Sequence, residues 1–173
     1  MAAPMARVLI VGGGCRGVEL ARVACAEGHA VRVVTRRGAR AGEIERVGAE
    51  CVVGDPDRLG TLRGALEGVT IACWLLGTAR GEECQVRALH GARLRAFLAH
   101  TIDTTVRGLA YEAAGTVAPE LLAGGWRAVE EASARHAIPA RAIRADPAER
   151  GRWLADARAQ LDSLLSGEWR YPQ

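Results

Sequence analysis

Short apolar runs alternate with longer amphipathic stretches along the whole chain. RVLIVG (Arg7–Gly12) is aliphatic between its two ends, the pattern of a strand covered on both faces. GVELARVACAEG (17–28) follows with helical periodicity and closes on Gly28 as its C-terminal cap. The strand signal then recurs in HAVRVVT (29–35), AECVVG (49–54), VTIACWLLG (69–77), TTVRGLAY (104–111) and PARAIRA (139–145). Between these runs, AGEIERVG (41–48) and DRLGTLRGALEG (57–68) read as helices, the second capped by Asp57. A longer helix is predicted from Glu83 to Ala99, with Val86, Leu89, Leu94, Phe97 and Leu98 on its apolar face. PELLAGGWRAVEEASARH (119–136) carries Pro119 in its first turn, and DPAERGRWLADARAQLDSLLSG (146–167) is capped by Asp146 with Pro147 at its first position.

Strands that alternate strictly with helices predict an α/β fold, a doubly wound six-stranded parallel sheet with helices on both faces and three layers in all. Right-handed crossovers favour strand order 3-2-1-4-5-6, with a ligand at the C-terminal strand edges near the reversal between strands 1 and 4. The pattern runs from residue 7 onward without linker or repeat, so residues 1–173 are expected to form a single domain, with residues 1–6 as a frayed tail and no separate substrate domain.

Gly12, Gly14 and Gly17 fit G-x-G-x-x-G directly after a strand and at the start of a helix, the context that gives this motif its meaning. Gly12 permits a tight turn, Gly14 lets backbone approach a pyrophosphate, and Gly17 lets the helix pack close to the sheet. The loop, including Cys15 and Arg16, is therefore expected to hold a dinucleotide at a helix N-terminus. A site that prefers NAD places Asp or Glu about 20 residues further on, to bond the ribose 2′-hydroxyl. This chain has Thr35, Arg36 and Arg37 there. With no carboxylate to repel a 2′-phosphate, and a planar guanidinium to pair with it, NADP(H) is favoured over NAD(H). Arg16 is expected to aim a further cation at the same region.

Composition sharpens this picture at three points. The net charge is +3 and aromatics are only 4%, so a basic stripe interleaved with aromatics for nucleic acid is not expected. No apolar run approaches the ~20 residues that span a bilayer, and MAAPMAR lacks the pattern of a signal peptide, so a cytoplasmic protein is expected. All 23 basic residues are arginine, which excludes every mechanism that needs a lysine. Cys15, Cys25, Cys51, Cys73 and Cys84 show no paired spacing, and with four scattered histidines they suggest neither a metal site nor a disulfide framework. Most are expected to be core thiols.

The stretches VLIVGGGCRG, VVTRR and VVGDPDRLGTLRGALEGVTIACWLLG resemble the atypical and extended short-chain dehydrogenase/reductases, especially the NmrA-like and epimerase-like NAD(P)-binding proteins. The resemblance covers about residues 7–80 and is topological beyond them. It implies that Asp55, of the pair Gly54-Asp55 after the third strand, lies near the adenine. It also implies that Leu76, Gly77 and Thr78 pass beside the cofactor's ribose and phosphates. Asp55 before Pro56 equally suits a turn. The opening segment alone is also similar to the NAD module of flavin disulfide reductases, a likeness that ranks second because no second dinucleotide domain or redox cysteine pair accompanies it.

Reductases of the resembled family use a tyrosine with a lysine four residues later. Here Tyr111 stands at the end of the fifth strand, expected to face the nicotinamide, but the fourth residue on is Gly115. Tyr111 as proton donor and Glu112 as acid or base are the weak catalytic candidates; the alternative is a Tyr packed on the sheet edge with Glu112 in solvent. His90 and His100 are expected at the surface, His29 at the wrong end of the sheet, and His136 at a helix end. With no lobe to enclose a substrate, an unknown small molecule must sit in an open cleft or a partner must complete the pocket. Trp153, Leu154, Leu161, Leu164, Leu165 and Trp169 are expected in the core, or in part on a homodimer face. Two functions stay open: an NADPH-dependent reductase, and an NmrA-like sensor acting through a protein partner.

Overall fold

The computed structural model describes residues 5–167. Six strands, β1 (Arg7–Gly12), β2 (Ala30–Thr35), β3 (Glu50–Val53), β4 (Ile71–Leu75), β5 (Gly108–Glu112) and β6 (Ala140–Ile143), form one parallel sheet in the order β3-β2-β1-β4-β5-β6. The helices are α1 (Gly14–Ala26), α2 (Ala41–Arg46), α3 (Glu83–Leu89), α4 (Ala92–Thr101), α5 (Pro119–His136) and α6 (Arg150–Leu165). The doubly wound arrangement expected from the alternation is the one observed.

Side-chain alternation along β1 sorts the interior into two cores. Val8 and Ile10 join Leu20, Ile44, Trp153 and Leu161 beneath α1, α2 and α6. Leu9 and Val11 join Trp74, Leu94, Phe97 and Tyr111 beneath α3, α4 and α5. Trp153, Leu161 and Leu164 are buried and Leu154 and Leu165 pack against the same cluster, as expected for the closing helix. Trp169 lies outside the described residues.

Several boundaries differ from the expectation. The helix predicted from Glu83 to Ala99 breaks into α3 and α4 at His90-Gly91, where Gly91 takes the non-helical pair φ −126°, ψ −103°. The stretch 57–68 forms two 3₁₀ turns, Leu59–Leu62 and Gly64–Leu66, because its glycines weaken a continuous helix. Asp57 caps neither; its carboxylate accepts from Arg93 Nε at 2.9 Å. Asp146 precedes α6 by a turn, accepting from Ala148 N–H at 2.9 Å, and the helix itself starts three residues after Pro147. Of the expected tail, residues 1–4 lie outside the described residues, while Ala6 is buried and its carbonyl accepts from Ala30 N–H. Among the cysteines only Cys73 is fully buried, its thiol pushed up to about 12 by that burial, whereas Cys15 and Cys84 are exposed. No helix among the described residues is long and apolar enough to cross a membrane.

One close approach fixes how α5 sits on the sheet. A Cβ at Gly125 would fall inside the Tyr111 hydroxyl, so only glycine lets α5 rest there. Gly125→Ala is expected to destabilise the protein by ~1–3 kcal/mol through overpacking, although alanine is worth ~1 kcal/mol more than glycine in an open helix. Tyr111→Phe on top of it should recover part of the loss, since the hydroxyl is the nearest atom met. Urea denaturation of the two variants checks this.

Candidate functional site

The glycine loop adopts the geometry its motif calls for. Gly12, Gly13 and Gly14 all have positive φ, at 84°, 82° and 53°. A Cβ at Gly17 would lie 2.5 Å from Gly12 O and 3.3 Å from Ile10 Cγ2, so this glycine lets α1 close onto β1. A Cβ at Gly14 would meet nothing within 4 Å: its backbone faces open space. The first turn of α1 starts there, and Gly13 before it offers no side chain to cap the free N–H groups.

Above the loop lies a cleft of about 340 Å³. Gly12–Gly14 form its floor, Thr35, Arg36, Arg37 and Arg40 one end, and Leu76, Thr78, Ala79 and Arg80 the other. Gly54 and Pro56 also line it. Among the described residues four arginines and no carboxylate line this cleft, so its lining is net positive. Arg36, Arg37 and Arg80 are exposed and form no ion pair among the described residues; Arg40 is held by Glu43 at 3.0 Å. Thr35 Oγ1 accepts from Arg37 N–H at 3.2 Å, fixing the turn that presents the arginines.

Five expected residues are absent from the lining: Gly17, packed against β1, Gly77, described below, and Cys15, Asp55 and Arg16. Cys15 is exposed, outside the cleft lining, with Arg40 Nη2 at 3.8 Å from its sulfur. The Asp55 carboxylate serves its own turn, accepting from Asp57 N–H at 3.0 Å, while its neighbours Gly54 and Pro56 reach the cleft. Arg16 points away from the arginine end. Its Nη2 pairs with Glu112 Oε1 at 3.0 Å and donates to Thr78 Oγ1 at 3.1 Å, its guanidinium lies 5.2 Å over the Trp153 ring, and its buried Nε has no partner among the described residues.

Both weak catalytic candidates lie in the interior. Glu112 is wholly buried, not in solvent. Gly77 N–H donates to its Oε2 at 2.7 Å, and Trp153 Nε1–H and Arg16 donate to its Oε1 at 2.8 and 3.0 Å. Burial pushes its carboxyl above the usual range, and the Arg16 charge and the three donors offset this only in part. Tyr111 is wholly buried on the other face of β5, away from any open edge. Its hydroxyl donates to His90 Nδ1 at 2.7 Å, with Leu122 O a second acceptor at 3.3 Å. His90 Nε2–H donates to Leu76 O at 3.0 Å, which assigns the tautomer, because a carbonyl only accepts. His90, expected at the surface, is thus a core residue whose basicity is lowered chiefly by burial. Tyr111, likewise buried, is pushed well above a phenol's ordinary value.

Gly77 is absent from the cleft wall because it is welded to the segment after β5. Val117 N–H donates to Gly77 O at 3.0 Å, and a Cβ at Gly115 would collide with that same carbonyl. Beyond this seam opens a second cleft of about 540 Å³, lined by Ala113, Val117, Leu122, Trp126, Arg127 and Arg144 among others. The two clefts share no lining residue.

Sheet order, crossovers and glycine turn together define a Rossmann fold. Solved structures of short-chain dehydrogenase/reductase type share it. One such protein from Agrobacterium tumefaciens, with bound NAD, superposes with a TM-score of 0.64 at 18% identity, over 80% of this chain and 48% of that one. Triphenylmethane reductase from Citrobacter sp., complexed with NADP(H), gives 0.60 at 19% identity, over 79% of this chain and 48% of its own. UDP-glucuronic acid 4-epimerase from Bacillus cereus, with UDP-glucuronic acid and NAD, gives 0.63 at 13% identity, over 80% and 55%. The chain spans about half the length of these proteins, and at such identities what is shared is the fold. No protein-family model and no curated protein matches the sequence.

Two outcomes follow for the buried groups. Glu112→Ala strands Arg16, Trp153 Nε1–H and Gly77 N–H, and should cost ~3–5 kcal/mol in denaturant unfolding, as when one partner of a buried ion pair is removed. For His90 the folded pKa lies below its unfolded value, so the unfolded chain binds more protons between the two. The stability it contributes is complete above about pH 6.5 and declines as pH falls below that. In unfolding curves from pH 7 to 5, the wild type should therefore lose more stability than His90→Asn.

Proposed function

We propose that this protein binds NADP(H) in preference to NAD(H). The observation that carries this reading is the cleft on the glycine loop, with four arginines and no carboxylate in its lining. Backbone N–H groups at Gly13–Cys15 and the start of α1 would hold the pyrophosphate. Arg36, with Arg37 and Arg40, would pair with the adenosine 2′-phosphate. Pro56 and Gly54 would flank the adenine, and Leu76, Thr78 and Ala79 the remaining half. Solved proteins of this fold that carry NAD or NADP(H) agree with a nicotinamide dinucleotide and leave the choice between the two to these arginines.

Bound NADPH would supply a hydride, and the second cleft beside the end of β5 would hold its acceptor. The chain's own part is orientation. Tyr111 and Glu112 are both turned into the interior, and no lysine exists to lower a phenol, so an acceptor that needs no protein proton donor is the best match. The same two residues favour a second reading, a dinucleotide sensor that works through a protein partner. Turnover of NADPH with quinone, flavin or carbonyl acceptors supports the reductase; binding without turnover across these classes supports the sensor.

Calorimetric titration of NADPH and NADH at one salt concentration tests the cofactor. NADPH is expected to bind in the micromolar range and NADH much more weakly. Arg36→Ala should weaken NADPH by ~1.5–3 kcal/mol and leave NADH nearly unchanged. Equal losses for both nucleotides would show that Arg36 does not read the 2′-phosphate.

A further inference from the structure

The second cleft carries chemistry of its own. Its wall is apolar over Val117, Pro119, Leu122, Ala123 and Trp126, and two cations, Arg127 and Arg144, stand on it. Among the described residues neither arginine has a carboxylate within ion-pair distance, although many other arginines of this chain do. The Arg144 guanidinium lies 5.7 Å over the Trp126 ring. A cation–π contact of this kind holds the guanidinium beside the ring, where its N–H groups can grip a carboxylate. Trp126 is in turn backed by Tyr111, ring centroids 6.4 Å apart, so the slab rests on the core.

The acidic groups nearby are largely engaged. Asp156 Oδ2 accepts from the backbone N–H groups of Arg144 and Ala145 at 2.8 and 2.9 Å, and its Oδ1 accepts from Gln160 at 2.9 Å. Asp146, the one acid in the lining, accepts from Ala148 N–H. Two arginines against one aspartate leave the lining net positive. The 18-residue helix α5 adds its positive end, since it begins at Pro119 in the lining and its N-cap, Ala118, has no capping side chain.

We propose that this cleft binds a planar aromatic carboxylate, its ring on the Trp126–Leu122–Val117 wall and its carboxylate on Arg144 and Arg127. The binding claim stands without the cofactor; only the role of such a molecule as hydride acceptor rests on the function proposed above.

The probe is 4-fluorobenzoate, followed by ¹⁹F NMR line broadening on the full chain without nucleotide, beside neutral 4-fluorobenzamide and the aliphatic anion 4-fluorobutyrate. Saturable binding of 4-fluorobenzoate is expected, with both comparison compounds weaker by roughly tenfold or more, and Arg144→Gln and Arg127→Gln each weakening it by about tenfold, as for a lost charge-assisted hydrogen bond. Arg36→Ala should leave it unchanged. Arg144→Gln and Arg127→Gln are also titrated with NADPH. Unchanged NADPH affinity shows that the variants are folded; if the wild type binds no NADPH, circular dichroism takes over that check. No saturable binding, equal binding of the amide, or full binding by both arginine variants overturns the proposal. Equal binding of the butyrate overturns the aromatic part. Fluorobenzoate binding without NADPH binding sinks only the cofactor reading, and the reverse sinks only this one.

Discussion

The Glu112 carboxylate is the point on which the C-terminal edge of the sheet depends. It ends β5 inside the protein, yet three elements besides its own strand converge on it. Arg16 brings α1, Gly77 N–H brings the segment after β4, and the Trp153 indole brings α6. Burying a carboxylate costs several kcal/mol, and only a partner charge with donors on both oxygens offsets that cost. Here each oxygen is served, so the same bonds that make the burial tolerable also fix the glycine loop relative to strands 4 and 5. The start of α1 and the segment at the far end of the arginine cleft are therefore set by one buried group that bonds Arg16 in the first turn of the helix and Gly77 N–H after β4.

The opposite face of β5 does a parallel job with neutral groups. Tyr111 reaches His90, and His90 reaches Leu76 O, a residue of the arginine cleft. Gly125 makes room for the phenol, and Leu122 of the same helix lines the second cleft. One strand thus carries two polar ties, one to each layer, and the seam between Gly77 and Gly115 separates the two clefts at its end. A ligand in either cleft touches residues anchored to these ties.

Strand alternation, glycine spacing and Pro119 made the fold and the glycine loop legible in the sequence, because each reflects local backbone geometry. The arginine end of the cleft was legible from Arg36 and Arg37, whereas Arg40 and Arg80 enter it through a 3₁₀ turn and a loop with no periodic signal. Tyr111 and Glu112 were misplaced for a reason the sequence does contain. Neighbours in a strand face opposite sides, so one of the two had to enter each layer of a sheet covered on both faces. What it does not contain is the partner set, since Arg16 and Trp153 lie 96 and 41 positions away. His90 was legible in the spacing: at four residues from both Val86 and Leu94 it shares the apolar face of the expected helix, and the structure buries it there despite the break at Gly91.

The arginine-only composition limits what such a site can do. A lysine near the sheet edge could lose its proton or lower a neighbouring phenol, and an arginine can do neither, since it stays charged at any physiological pH. What arginine offers is a planar fork of donors that grips phosphates and carboxylates. Both clefts are lined by that fork, and the acid that ends β5 is already spent on Arg16. Under the function proposed, the part left to these arginines would be to hold anions in register, and the electrons of a reaction would come from what is bound.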